Sequence, residues 1–147
     1  MGITLAKILL ISYFCLVLLL HSSYAPPFPG QGEPEPFHPS SYQVWITDLI
    51  QRPSLTFRCQ SKDNDLGYHT LNFRQKYHWE FKLNFWGSTL FFCHFYWNGK
   101  QQVFDVFNGR KDHFTVINWV VKEDGFYKVV GKVNWEDKDL VKAYSWS

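Results

Sequence analysis

From Ser41 onward, apolar and polar residues alternate along the chain with a period of two. In three segments every second residue is apolar, and apart from Trp45 the residues between them are polar or charged. Residues two apart point to the same face of a strand but not to the same face of a helix. The alternation therefore predicts strands with one face toward a core. The apolar positions are Tyr42, Val44 and Ile46, then Leu55, Phe57 and Cys59, then Tyr77, Trp79 and Phe81.

The rest of the chain continues with extended segments separated by turn signals. The run STLFFCHFYW (88–97) is apolar on both faces, which predicts a central strand covered on both sides. Asn98-Gly99 is a strong hairpin signal because both residues tolerate a positive φ, and Asn108-Gly109 marks a second turn. Further strands are predicted at 100–107, 113–121, 126–130 and 140–146, with a polar turn at 122–125.

These segments amount to seven or eight short strands without a convincing helix. Short strands at regular spacing predict an all-β domain over residues 41–147, a small antiparallel β-sandwich with one disulfide, and a closed barrel is the alternative. Aromatic residues make up 20% of the chain, and side chains of this size fill the core of a small domain. Most of them therefore need no functional explanation.

The first 40 residues have a different composition. Lys7 precedes an apolar run from Ile8 to Leu20, and Ser23 and Ala25 are the small residues that a signal peptidase reads. Residues 1–25 are therefore predicted to be a secretory signal peptide, with an uncleaved N-terminal anchor as the alternative. Residues 26–40 contain six of the seven prolines and predict a flexible, extended arm. A ligand for a proline-reading groove is the alternative for this arm.

Signal cleavage changes the cysteine count and the net charge. It removes Cys15, so that Cys59 and Cys93 remain as a pair in an oxidising compartment, which predicts one disulfide; two free thiols are the alternative. It also removes Lys7 and leaves 14 basic residues against 13 acidic ones. A net charge near +1 without a basic stripe argues against nucleic-acid binding. No second apolar run of spanning length follows, so we expect an extracellular domain without membrane insertion.

The chain lacks the sequence signals of catalysis. It contains no HExxH or GxSxG motif and no phosphate-binding glycine loop, and its histidines show no metal-ligand spacing. Acidic pairs such as Asp63 and Asp65 lie in polar segments typical of turns. A calcium loop starting at Asp63 fails because Tyr68 and Arg74 stand at its sixth and twelfth positions. We therefore expect no enzyme activity, no cofactor and no metal, and the sequence favours a binding module.

Four blocks of sequence carry a family resemblance. They are LTFRCQSKDNDLGYHTL (55–71), WEFKLNFWGSTLFFCHFYW (79–97), WVVKEDGFYK (119–128) and KAYSW (142–146). In these blocks and in their order, the chain resembles the plant self-incompatibility protein S1 family, the S-protein homologues. It departs from the family pattern in HFTVIN (113–118), where many members carry a second pair of cysteines.

The resemblance implies a secreted β-sandwich that acts as a ligand for a plasma-membrane receptor in cell–cell signalling, as in the rejection of self pollen. On such a scaffold we expect specificity to lie in the exposed turns. We expect a monomer, and the receptor is not identified by the sequence. The candidate contact residues lie in four loops: Lys62, Asp63, Asn64 and Asp65; Asn98, Lys100 and Gln101; Asn108, Arg110, Lys111 and Asp112; and Lys122, Glu123 and Asp124.

A secreted glycan-binding or defence module is the alternative function. An exposed Trp86 or Trp135 would then provide a platform on which a sugar ring stacks. For Trp86, in the NFWG motif, we instead expect a role in plugging the end of the sandwich. A secreted ribonuclease, a third class used in plant self-incompatibility, would carry His-Gly blocks, which this chain lacks.

Overall fold

The computed structural model describes residues 5–21 and 41–147. The apolar N-terminal run forms helix α1, Leu5–His21. In the described part of the chain, no helix combines the length and the apolar character needed to cross a membrane. The predicted cleavage site after Ala25 and the proline-rich arm at 26–40 lie outside the described residues, so the signal peptide and the arm remain predictions.

Residues 41–147 form nine strands and one short 3₁₀ helix, Asp137–Asp139. The predicted strand segments are all present within a few residues. The strands are β1 Tyr42–Asp48, β2 Leu55–Gln60, β3 Asp65–Leu71, β4 Lys76–Phe81, β5 Leu90–Trp97, β6 Lys100–Asn108, β7 Val116–Lys122, β8 Gly125–Val130 and β9 Val141–Tyr144.

The strands make two sheets, and the predicted β-sandwich is confirmed. One sheet has the order β4-β1-β7-β8-β9 and the other has the order β3-β2-β5-β6. All neighbouring pairs are antiparallel except β1 and β7, which are parallel. The sequence predicts seven or eight strands, and the strand that it misses is β3. It lies at a sheet edge and most of its residues are exposed or half-buried, so it lacks the clean alternation of the other strands.

Large aromatic residues from both sheets fill the space between them. Phe57 and Phe95 of the four-stranded sheet are fully buried, as is Phe126 of the five-stranded sheet. The Trp119 indole N–H donates to the carbonyl of Val106 (2.9 Å), so a buried hydrogen bond joins β7 of one sheet to β6 of the other. The aromatic content of the sequence is thus explained largely by packing.

The predicted disulfide between Cys59 and Cys93 is present. The two residues lie directly opposite each other on β2 and β5, with a Cα–Cα distance of 4.1 Å, and both are fully buried. The prediction that β5 is covered on both sides is wrong. The residues of its outer face, among them Phe92 and Tyr96, are only half-buried, because no element of residues 41–147 packs over that face of the sheet.

The strand registers bring the loops together at two opposite ends of the sandwich. The tip end carries the loops at 61–64, 82–89 and 109–115, as shown by the pairing of Tyr42 with Phe81 and of Leu90 with Asn108. The tail end carries most of the other turns. Its members are the loops at 49–54 and 72–75, the turns at 98–99 and 123–124, and Ser147, which exchanges two backbone hydrogen bonds with Gln101.

Candidate functional site

The β4–β5 loop at the tip end is a tight turn organised by Asn84. The Asn84 amide N–H donates to Thr89 Oγ1 (2.8 Å), and Asn84 Oδ1 accepts from the Ser88 N–H (2.8 Å). Asn84 Nδ2 donates to Ser88 Oγ (2.9 Å), and the Gly87 N–H donates to the Asn84 carbonyl (2.9 Å). Gly87 has a φ of 62°, which favours glycine. These bonds hold an exposed turn in one shape.

This turn presents two aromatic side chains to solvent, Phe85 and Trp86, which we call the aromatic tip. Phe85 is 92% exposed and Trp86 is 80% exposed, and their rings meet edge to face with 5.1 Å between centroids. The expectation that Trp86 plugs the sandwich is wrong. Tyr42, Phe81 and Phe107, which project inward from the strand ends, already pack against one another there, and the turn is left outside them.

Gly109 supports the turn from the neighbouring β6–β7 loop. Its N–H donates to the Thr89 carbonyl (2.8 Å). A Cβ atom at position 109 would lie 2.6 Å from the Gly87 carbonyl oxygen and 3.2 Å from that of Thr89. The two loops are therefore packed backbone against backbone, and only glycine leaves enough room. The sequence predicts a turn at Asn108-Gly109, and the structure adds the reason for the glycine, a close approach rather than a positive φ.

A cleft of about 630 Å³ separates the loop at 61–64 from the aromatic tip. Trp86 forms one wall, and Asp63, Asn64 and Ser88 contribute polar groups. The exposed charges at this end are mostly basic: Lys62 and Lys82 line the cleft, and Arg110 and Lys111 are exposed on the adjoining loop. The cleft thus combines an aromatic wall, hydrogen-bonding side chains and a basic rim.

The four predicted contact loops do not form one surface. Those at 62–65 and 108–112 lie at the tip end, beside the aromatic tip. Those at 98–101 and 122–124 lie at the tail end. The Asn98-Gly99 hairpin is confirmed, with φ of 48° and 75° at the two residues. Whether any of these loops contacts a receptor stays a prediction.

Several predicted contact residues are already engaged within the protein. Asp65 pairs with Arg58, whose hydrogen bond lowers the pKa of the Asp65 carboxyl. Asp112 accepts from Lys128 Nζ (2.7 Å) and from the Asn108 N–H (2.8 Å). These carboxylates fix loop geometry.

At the tail end, a hydrogen bond from Tyr127, assisted by Lys142, lowers the pKa of Asp124. Gln101 pairs with Ser147 through its backbone, and its Oε1 lies 3.1 Å from His94 Nε2. In the described part of the chain, seven of the predicted charged residues have no ion-pair partner; these are Lys62, Asp63, Lys100, Arg110, Lys111, Lys122 and Glu123.

The described residues do not assemble a recognisable reaction centre. They contain no group of three His, Cys, Asp or Glu side chains that could hold a metal ion. Both cysteines of the domain are bonded to each other. His78 stacks on Trp45 with 4.0 Å between centroids, and His69 stacks on Tyr77 with 3.8 Å between centroids. These histidines are explained by packing.

Sequence reasoning missed Phe85 and gave Trp86 the wrong orientation. The available signal was the motif NFWGS itself. Asn and Gly bracket two adjacent aromatic residues, and both are typical of a tight turn. Two large apolar side chains inside a turn cannot both face the core, because a turn at the end of a strand lies at the surface.

The sequence is similar to known proteins of one family. The sequence matches the family model described as plant self-incompatibility protein S1 over residues 43–146. S-protein homolog 5 of Arabidopsis thaliana is 41% identical over 98 residues, which are 65% of this chain and 76% of that protein. S-protein homolog 27 of the same plant is 32% identical over 119 residues, which are 77% of this chain and 76% of that protein.

A solved structure is similar to this fold. It belongs to the self-incompatibility protein homologues, described as a widespread family of small, highly stable, secreted proteins from plants. The alignment has a TM-score of 0.56 at 17% identity and covers 72% of this chain and 94% of that one. At this identity the likeness supports the fold, while the family rests on the sequence matches. The chain belongs to the plant self-incompatibility protein S1 family, the S-protein homologues.

Proposed function

We propose that the protein is secreted, is not an enzyme, and acts as a ligand for a protein receptor on the cell surface, which it contacts through the tip end. Secretion is supported by the apolar run at 8–20 and by the description of the structurally similar relative as secreted. A role in rejecting self pollen is the most specific form of this proposal, and it rests on the family name alone.

The observation that carries the proposal is the rigid exposure of the aromatic tip. Phe85 and Trp86 are 92% and 80% exposed on a turn whose shape is fixed by Asn84 and Gly109. Protein interfaces concentrate their binding energy in a few aromatic residues, and a preformed geometry reduces the entropy lost on binding. Burying both side chains would remove about 300 Å² of apolar surface, roughly 7 kcal/mol before the costs of association.

The rim charges indicate the kind of receptor surface that would fit. Two lysines, Lys62 and Lys82, and one carboxylate, Asp63, line the cleft. Arg110 and Lys111 add two exposed positive charges on the neighbouring loop. A receptor patch with acidic side chains around an apolar pocket would complement this end. Rim charges of this kind change mainly the association rate and its dependence on salt.

The experiment is a binding assay with fluorescently labelled protein on plant protoplasts, which have no cell wall. The double variant Phe85→Ala/Trp86→Ala is expected to lose most of the saturable binding. The double variant Arg110→Glu/Lys111→Glu is expected to have a lower association rate constant, with the largest effect at low salt. The matched control is Lys100→Glu at the tail end, which should bind like the unmodified protein. Protease treatment of the protoplasts should abolish binding if the receptor is a protein.

Full binding by the aromatic double variant, or binding that survives protease treatment, would contradict the proposal. A circular dichroism spectrum of each variant shows that the fold is intact, which is expected because both side chains point into solvent.

A second candidate function, glycan binding at the same cleft, is favoured by one observation. Trp86 forms a flat wall beside the polar side chains of Asp63, Asn64, Asn84 and Ser88, a combination that suits a sugar ring. A polysaccharide array would test it. Glycan binding predicts that Trp86→Ala loses binding while Phe85→Ala keeps it, because Trp86 lines the cleft and Phe85 does not.

A further inference from the structure

A second pocket lies on the outer face of the five-stranded sheet, at the tail end, and we call it the outer-face pocket. It has a volume of about 340 Å³ and is bounded by the end of β1, the start of β4 and the segment at 131–140. Its lining residues are Thr47, Leu49, Arg74, Lys76, Asn134 and Trp135. It is separate from the aromatic tip, and the proposed receptor contact does not bear on it.

Two polar atoms of this lining are buried without a partner. Thr47 is on the outer face of β1, directly opposite Lys76 of β4, yet it is only 2% exposed. Its Oγ1 atom has no hydrogen-bond partner among the described residues, and the same holds for the buried Nε1 atom of Trp135. A buried hydroxyl and a buried indole N–H normally find partners, so two orphaned donors in one pocket indicate a missing acceptor.

The charged side chains that line the pocket are both positive. Among the described residues, Arg74 and Lys76 line it and no acidic side chain does, and neither cation forms an ion pair with any residue of 41–147. Lys76 Nζ lies 5.8 Å from the centroid of the Trp135 ring. Arg74 has a φ of 68°, an uncommon conformation for a residue other than glycine that tends to occur at functional positions.

Taken together, the lining supplies donors and positive charge. Indole, ammonium and guanidinium groups donate and do not accept, and the Thr47 hydroxyl and the Asn134 amide can add further donors. A ligand that satisfies them must be rich in acceptors and negatively charged. We infer that the outer-face pocket is a binding site for an oxyanion, a carboxylate, sulfate or phosphate group on a small molecule or at the end of an acidic sugar chain.

The test is a titration of the ¹⁵N-labelled protein with inorganic phosphate, sulfate and a uronic-acid oligosaccharide, each against chloride at matched ionic strength. The indole N–H signal of Trp135, assigned by its loss in Trp135→Phe, is expected to shift and saturate at millimolar concentrations. Saturation by phosphate or sulfate would identify a free inorganic ligand, and saturation by the oligosaccharide alone would identify an acidic sugar.

Variants separate binding from folding. Thr47→Val removes the orphaned hydroxyl with little change of shape. It should therefore leave the unliganded protein at least as stable and lower its affinity for the anion at least tenfold. Arg74→Gln/Lys76→Gln should abolish saturation. The control is Lys138→Gln, in the same segment but outside the pocket, which should titrate like the unmodified protein. An indole signal that none of the three anions shifts, or titrations of the Thr47 and Arg74/Lys76 variants that match the unmodified protein, would overturn the inference.

Discussion

The support that Gly109 gives to the aromatic tip can be tested by Gly109→Ala. The added methyl group would lie 2.6 Å from the Gly87 carbonyl oxygen, whereas ordinary contacts begin at 3.4 Å. The two loops must therefore separate by about 0.8 Å, which stretches the hydrogen bond from the Gly109 N–H to the Thr89 carbonyl. Overpacking of this kind costs about 1 to 3 kcal/mol. The side chain itself would touch no bound partner.

We expect two measurable results from this substitution. The free energy of unfolding, from urea denaturation followed by tryptophan fluorescence, should fall by about 1 to 3 kcal/mol. The affinity for protoplasts should fall about tenfold, because the shifted loops displace Phe85 and Trp86. A tenfold loss corresponds to about 1.4 kcal/mol of binding free energy. Hydrogen exchange of the Gly87 and Ser88 amides should accelerate, because both donate to Asn84 within the turn.

Gly99→Ala is the matched control. Gly99 has a φ of 75° with open space around it, so alanine there is strained by its backbone conformation and displaces nothing. It should lower stability by about 1 to 2 kcal/mol and leave both binding and the exchange of the Gly87 amide unchanged. If Gly109→Ala changes the free energy of unfolding by less than about 0.5 kcal/mol and leaves the turn amides protected, the close-packing argument is refuted.

Three further predictions concern the fold. Replacing both Cys59 and Cys93 with alanine opens a loop of 34 positions and should lower the free energy of unfolding by about 3 to 4 kcal/mol; equal urea midpoints for the variant and the oxidised protein would contradict this. Trp119→Phe removes the buried N–H that pairs with the Val106 carbonyl and should cost about 2 to 4 kcal/mol, while the exposed substitution Trp86→Phe should cost less than about 0.5 kcal/mol. Burial raises the pKa of Asp48, so its contribution to stability is fully present below about pH 4 and is lost as the pH rises through the folded-state pKa. Urea denaturation from pH 4 toward neutrality should therefore show a decline that Asp48→Asn reduces, and an unchanged decline in the variant would assign it to other groups.

The sequence predicts the parts of the fold that depend on alternation. β2, with Leu55, Phe57 and Cys59 buried and the residues between them half-buried, follows its pattern residue by residue. β3 does not, because an edge strand is held by backbone pairing to a single neighbour, and all of its residues except Leu71 are exposed or half-buried. The outer face of β5 reads as buried because Phe92 and Tyr96 are apolar, yet covering that face would require an additional layer that a domain of this length does not form.

The candidate site is less accessible to sequence reasoning because its geometry depends on contacts between distant loops. The motif NFWG indicates a turn, but the backbone that packs against this turn belongs to Gly109, which lies 22 positions beyond Gly87. The outer-face pocket likewise joins Thr47, Lys76 and Trp135 from three parts of the chain. Neither arrangement leaves a local pattern, because a residue's neighbours across two loops are fixed only when the sheets have packed.

The position of the disulfide connects the stability of the sandwich to the shape of the tip cleft. Cys59 is two residues before Ser61, where one wall of the cleft begins, and Cys93 follows directly after Phe92, the last residue of the other wall. The bond therefore joins the end of β2 to β5 next to the residues that form these walls. The segment at 113–118, before β7, lacks the second cysteine pair that the family resemblance suggests for many members. However, β7 is paired on both sides and five of its seven residues are buried, so packing stabilises that region. The Cys59–Cys93 crosslink is itself buried, but it lies beside the mostly exposed loop at 61–64, where the proposed recognition requires a fixed geometry.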